Sequence, residues 1–162
     1  MRGAHNQPLW LNRRLPRNAR IEFDAVTQSD EGDLKVEAWG DGRSASTTVS
    51  YSNATSYLFI FGGWKNTLHV LARRDEHGPD RAELEVDSSS EDPRQAAVEA
   101  GRLYHWVIER ADGKTVLFSI DGLELLSLVD DQPLSGQGHE YFAFNNWETP
   151  VCFDNLKLQP LP

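Results

Sequence analysis

One cysteine, Cys152, is all the thiol chemistry the sequence holds. An intrachain disulfide and a multi-thiolate metal site are thereby excluded. Cys152 lies in the strand-like run Pro150-Val151-Cys152-Phe153 and reads as a buried, inert thiol. Long apolar runs are missing too: nothing approaches the ~20 residues of a membrane span, and no signal-peptide pattern opens the chain. Positive charge is scarce, with 16 Lys and Arg against 25 Asp and Glu and a net charge of −9. Nucleic acid is excluded as a partner, because phosphate neutralisation needs clustered basic residues. The cluster Arg13, Arg14, Arg17 and Arg20 is diluted by Leu15, Pro16 and Asn18, and reads as a solvated loop and strand start. Sustained 3.6-residue periodicity is nearly absent, leaving Arg94–Glu99 as the one helical candidate.

What is present alternates with period two. Ile21, Phe23 and Ala25 oppose Arg20, Glu22 and Asp24; Leu34, Val36 and Ala38 oppose Lys35, Glu37 and Trp39. The acidic Gly turn Ser29–Asp33 joins these two runs as an antiparallel pair. Asp41–Thr55, rich in Gly, Ser, Thr and Asn, reads as a long loop, and Tyr57–Phe61, apolar on both faces, as a central covered strand. Further strands are expected at Thr67–Arg73, Ala82–Val86, Tyr104–Arg110, Thr115–Ile120, Leu123–Leu128, Glu140–Asn145 and Val151–Leu158. Two Asp-Gly turns, Asp112-Gly113 and Asp121-Gly122, supply strong hairpin signals. About ten strands with almost no helix imply two packed sheets or a barrel. With 39% hydrophobic and 25% charged residues, no repeat and no linker, residues 1–162 read as a single β-sandwich domain.

The second half carries a specific arrangement: Gly101-Arg102-Leu103-Tyr104-His105-Trp106-Val107-Ile108-Glu109-Arg110, then Ser119-Ile120-Asp121-Gly122, then Val151-Cys152-Phe153-Asp154-Asn155-Leu156-Lys157-Leu158. It resembles the concanavalin A-like lectin/glucanase superfamily, particularly its bacterial laminin-G-like and keto-glycoside-hydrolase-like members. The resemblance implies an all-β, two-sheet antiparallel jelly roll, a carbohydrate or glycosylated partner, and an extracytoplasmic setting. Against full members the front end is short, so an N-terminal strand or signal segment is expected to be missing. The superfold hosts lectins, hydrolases and lyases alike, so function must come from the site.

The catalytic patterns of those relatives are not in the sequence. Laminarinase-type enzymes place carboxylates as E-x-D-x-x-E on one strand; Glu22-Phe23-Asp24 and Glu83-Leu84-Glu85 each offer only two acids. The Gln-x-His strand of alginate-lyase-type members is missing as well. The polar faces instead carry Glu22, Asp24, Glu37, Trp39, His69, Arg73, His105 and Glu109, with Asn145, Asn146 and Trp147 nearby and Trp64 in a loop after Gly62-Gly63. Aromatic rings stack on sugar C–H faces while carboxylate, amide and guanidinium groups satisfy hydroxyls, so this composition suits a glycan; its alternative is the ordinary wet face of an antiparallel sheet. Trp39, Trp64, His69, Arg73, His105, Glu109, Asn145, Asn146 and Trp147 are therefore the ligand-binding candidates. No cofactor or metal is expected: Asp75-Glu76-His77 reads as a solvated charged turn, and Asp30, Glu31, Asp33, Asp130 and Asp131 lack the spacing of a calcium loop.

The first expectation is a non-catalytic carbohydrate-binding module. The second is a glycoside-processing enzyme using Glu37 or Glu109 with His69 or His105 as an acid/base pair. The third is a structural protein-interaction domain.

Overall fold

The computed structural model describes residues 4–162. Among the described residues eleven strands follow one another: β1 (Leu9–Trp10), β2 (Ala19–Thr27), β3 (Leu34–Gly40), β4 (Tyr57–Gly62), β5 (Leu68–Arg73), β6 (Arg81–Glu85), β7 (Leu103–Arg110), β8 (Thr115–Ile120), β9 (Leu123–Val129), β10 (Tyr141–Asn146) and β11 (Val151–Pro160). They form a six-stranded sheet ordered β1-β10-β3-β4-β5-β6 and a five-stranded sheet ordered β11-β2-β7-β8-β9. All pairings are antiparallel. This is the two-sheet sandwich that the period-two rhythm implies.

The strict alternation of β2 sends Ile21, Phe23 and Ala25 into the space between the sheets, where each is at most 1% exposed. Trp106 of β7 fills the centre, its ring 5.2 Å from Phe23 and 4.9 Å from Phe118. Such aromatic pairs add about 0.5–1.5 kcal/mol each beyond the area they bury. At one end of this core lies a buried cation. Arg110 closes β7 between the sheets, its guanidinium 4.0 Å from the Trp39 ring centroid, donating to the Arg17 carbonyl at 2.7 Å and the Leu134 carbonyl at 2.8 Å.

β3 and β4 are buried on both faces. Their second face is covered by the 41–55 segment, which folds back over the sheet as a strap. Tyr51 and Ala54 of that strap pack on Leu58, Ile60, Val70 and Ala72 as a second hydrophobic cluster. Trp10 secures the strap by donating its indole N–H to the Ser44 carbonyl at 2.8 Å.

Three local expectations are corrected. Residues 94–99 do not form a helix: a 3-10 turn at Pro93–Gln95 gives way to extended chain. The side chain of Asn66 receives the Val98 amide at 3.0 Å and donates to its carbonyl at 2.8 Å, so a tertiary pairing replaces the helical one. Cys152 is exposed, because β11 is an edge strand whose alternate residues face outward. Trp39 does not stand on the polar face. The register steps from Tyr141↔Gly40 to Phe142↔Ala38, which leaves Trp39 as the bulged residue of β3, with φ 57. A bulge reverses the side-chain direction, and Trp39 turns into the core at 0% exposure, donating its indole N–H to the Pro16 carbonyl.

Candidate functional site

A cavity of about 320 Å³ opens on the outer face of the six-stranded sheet, beside the strap. Trp64 and Trp147 contribute its aromatic surface, and Asn6, Asp33, Lys35 and Glu76 its polar surface, with Ile60 and Val49 as apolar lining. Glu31, Glu148, Lys65 and His77 stand exposed around it.

The segments that build the cavity carry unusual backbone. Trp64, Lys65 and Asn66 are three successive left-handed residues, with φ of 51, 57 and 63, closed by the Thr67 amide donating to the Gly63 carbonyl. Each such residue costs about 1–2 kcal/mol relative to right-handed backbone. The turn persists because Asn66 is clasped to Asp30 and Val98 and because Gly62 supplies the left-handed entry. Asn6 and Asp33 are left-handed as well, so four of the ten non-glycine residues with positive φ among the described residues line this one cavity. Strain of this kind concentrates where a fold holds groups for a purpose.

Gly32 and Gly62 lock the two turns together. The Asp33 amide donates to the Gly62 carbonyl at 2.7 Å, and a Cβ on Gly32 would stand 2.2 Å from that same oxygen. Gly32, with φ 68, is therefore glycine for both conformational and steric reasons. Gly32→Ala is expected to destabilise the protein by about 1–3 kcal/mol and to separate the Asp33 and Trp64 turns. Urea unfolding together with Trp64 fluorescence checks both effects.

The polar floor is a connected network. Lys35 is sealed, and its Nζ donates to Glu76 Oε2 at 2.8 Å and to Asn6 Oδ1 at 2.7 Å. Glu76 Oε1 in turn accepts the Tyr51 amide at 2.8 Å, tying the strap to the floor. Next to this pair Glu37 lies at 0% exposure, accepting from Ser56 at 2.6 Å, Tyr51 OH at 3.2 Å and Asn145 at 2.8 Å. Burial lifts Glu37 to about 7 against the opposing pull of those hydrogen bonds and of Lys35. Burial also lifts Asp33 to about 6, offset by the Lys35 charge and by a backbone hydrogen bond from Trp147 and reinforced by Glu76 and Glu148. Its Oδ2 atom is shielded from solvent and has no hydrogen-bond partner.

The nine ligand-binding candidates separate into distinct places. Trp64 and Trp147 line the cavity. Asn145 and Asn146 are buried beneath it, the first holding Glu37 and the second holding the Thr149 carbonyl. His69 faces the inter-sheet core instead, stacked 4.7 Å from Phe61, its Nδ1 accepting the Gly62 amide at 3.0 Å; burial pushes it down to about 4. Arg73 reaches across to Asp130 at 2.8 Å. His105 and Glu109 are on the outer face of the other sheet, the first 2.8 Å from Asp24 and the second 2.8 Å from Arg20. Trp39, wholly buried, has no surface to offer a ligand. The acid/base pairs considered from the sequence are likewise not brought together. Glu37 and His69 are sealed on opposite faces of one sheet, and His105 and Glu109 pair with Asp24 and Arg20 on the other.

Sequence reasoning missed Asp33, Lys35 and Glu76. The Asp75-Glu76-His77 segment is not a uniformly solvated turn, since Glu76 is 5% exposed. A signal was available in Lys35, a lone cation between Leu34 and Val36 in a strand whose neighbour is apolar on both faces; burial there demands a carboxylate partner. Among the described residues no group of three or more His, Cys, Asp or Glu is placed to hold a metal ion, and no helix is long and apolar enough to cross a membrane.

Fold and cavity together define a class: a galectin-like β-sandwich of the jelly-roll kind with a cavity on the outer face of its six-stranded sheet. The chain is similar to sheep galectin-11, solved in complex with glycerol, at TM-score 0.58 and 9% identity over 94% of this chain and 97% of that one. It is similar to the carbohydrate-binding module CBM66 from Bacillus subtilis at TM-score 0.54 and 14% identity, over 88% and 74%. A galectin of Caenorhabditis elegans superposes at TM-score 0.54 and 9% identity, over 93% and 90%. No protein-family model matches the sequence, and no curated protein matches it. At these identities the likeness establishes the fold.

Proposed function

We propose that the protein is a non-catalytic carbohydrate-binding module whose site is the cavity between Trp64 and Trp147. One observation carries this reading: two tryptophans from separate turns line a single cavity together with a fixed polar network of Asn6, Lys35 and Glu76 and with the Asp33 carboxylate. Apolar rings supply contact area against sugar C–H groups, while preset donors and acceptors select the hydroxyl pattern. At about 320 Å³ the cavity is at the small end of ligand sites, which suits the end of a glycan or a mono- or disaccharide and not a long polymer laid along the sheet. The fold neighbours named as galectins and as a carbohydrate-binding module support the same class.

A glycan array followed by calorimetry on the best hits tests the reading. Trp64→Ala and Trp147→Ala are each expected to weaken binding at least tenfold (about 1.4 kcal/mol) in variants that keep the parent circular-dichroism spectrum. Binding to no glycan at millimolar concentration, or unchanged affinity in both folded variants, overturns it.

A further inference from the structure

We propose that the ligand is an amino sugar, presenting its protonated amine to Asp33 while its ring packs against the tryptophans. The inference rests on the carbohydrate reading and specifies the chemistry of that same site.

Charge balance leads to it. Lys35 is already committed to Glu76 and Asn6, so that pair cancels. What remains around the cavity is Glu31, Asp33 and Glu148 against Lys65, with His77 beside Glu76 at 3.5 Å. A uronic acid, a sialic acid or a phosphosugar would enter against this excess of negative charge. A cation would be drawn in; Arg81, whose guanidinium lies 5.7 Å from the Trp64 ring centroid, is paired with Glu83.

Asp33 is the group left incomplete. Its carboxylate lines the cavity and takes a backbone hydrogen bond from Trp147, while Oδ2 is shielded from solvent and meets no donor. Buried carboxylates are ordinarily paired or hydrogen-bonded. The left-handed Gly32-Asp33 turn, docked on the Gly62 carbonyl, holds this one in place at some conformational cost. An ammonium entering the cavity beside this carboxylate adds to the positive charge that Lys35 supplies from the floor. A neutral hydroxyl adds none.

Lys35, Glu76 and Glu148 act on Asp33 electrostatically, and burial sets its titration near 6. Affinity for a cationic sugar is therefore expected to rise between pH 5 and 7, as Asp33 loses its proton.

Calorimetry with glucosamine, galactosamine and mannosamine, alone and in disaccharides, set against their N-acetyl and parent neutral sugars, tests the proposal at pH 5 and 7 in low salt. The expected result at pH 7 is at least tenfold tighter binding of one amine over both of its neutral counterparts, with the advantage shrinking at pH 5 and lost in Asp33→Asn. Asparagine tolerates the left-handed backbone at this position, so a folded variant is expected, and circular dichroism verifies it. If neutral sugars bind equally or better, or if Asp33→Asn keeps the amine preference, the ammonium contact is overturned while the carbohydrate site stands. If no sugar of either set binds, both fall together.

Discussion

Arg110→Ala is expected to lower the free energy of unfolding by about 4 kcal/mol. The wild-type guanidinium lies against the Trp39 ring and donates to the Arg17 and Leu134 carbonyls deep between the sheets. Truncation leaves a large void next to Trp39, and large-to-small core changes of this size cost about 2–5 kcal/mol. It also strips donors from two carbonyls, at about 1–3 kcal/mol for a buried group left unsatisfied. One offset works the other way: burial disfavours the charged guanidinium and lowers its pKa. Arg110→Met separates these contributions. It restores much of the volume and removes the charge, so its loss is expected to be roughly half that of the alanine variant. Urea unfolding at pH 7, followed by far-ultraviolet circular dichroism and tryptophan fluorescence, reads both. A loss below about 1 kcal/mol in Arg110→Ala would show that the stacked cation is not a support of the core.

Glu37→Gln is expected to flatten the dependence of stability on pH. The unfolded chain releases the Glu37 proton near its ordinary 4.5, whereas the folded protein holds it to about 7. Between those values the native state binds more protons, so this group's contribution to stability falls as pH rises. At about 1.4 kcal/mol per pH unit, the full effect between pH 4 and pH 8 is about 3 kcal/mol. Asp33, lifted to about 6, acts in the same direction. His69 acts oppositely: with its folded value near 4 against an ordinary 6.5, it adds stability as pH rises between them. Comparing wild type and variant at both pH values cancels Asp33 and His69 and isolates Glu37. Glutamine retains an acceptor for Asn145 and offers a donor to Ser56, so little structural loss accompanies the change. Equal pH slopes in the two proteins would mean that Glu37 titrates normally in spite of its burial.

The site was only partly legible before folding. Trp64 and Trp147 stand out as aromatics in loops at strand ends, and both line the cavity. Trp39 looks similar on paper, because strict alternation puts it with Lys35 and Glu37. The bulge at Trp39 is invisible to a periodicity argument, since its left-handed conformation depends on pairing with β10 more than a hundred residues away. Lys35, Glu76 and Asp33 come from separate segments, and their neighbours in the sequence mark them as ordinary surface charges. His69 and Arg73 were assigned to the wrong face of β5 for a related reason. Residues on both sides of β4 and β5 are apolar, so alternation cannot say which side meets the second sheet and which meets the strap.

The amino-acid sequence alone determined the architecture, because period-two burial and Asp-Gly turns act over a few residues and need no distant partner. Ile21, Phe23 and Ala25 point inward whatever else the chain does. The tertiary structure decided which polar groups meet. The strap closes over one face of the six-stranded sheet, the Gly32–Gly62 contact joins two strained turns, and together they place Asp33 beside Trp64. Those placements are set by long-range packing, in which the energy of one contact depends on elements remote in the chain.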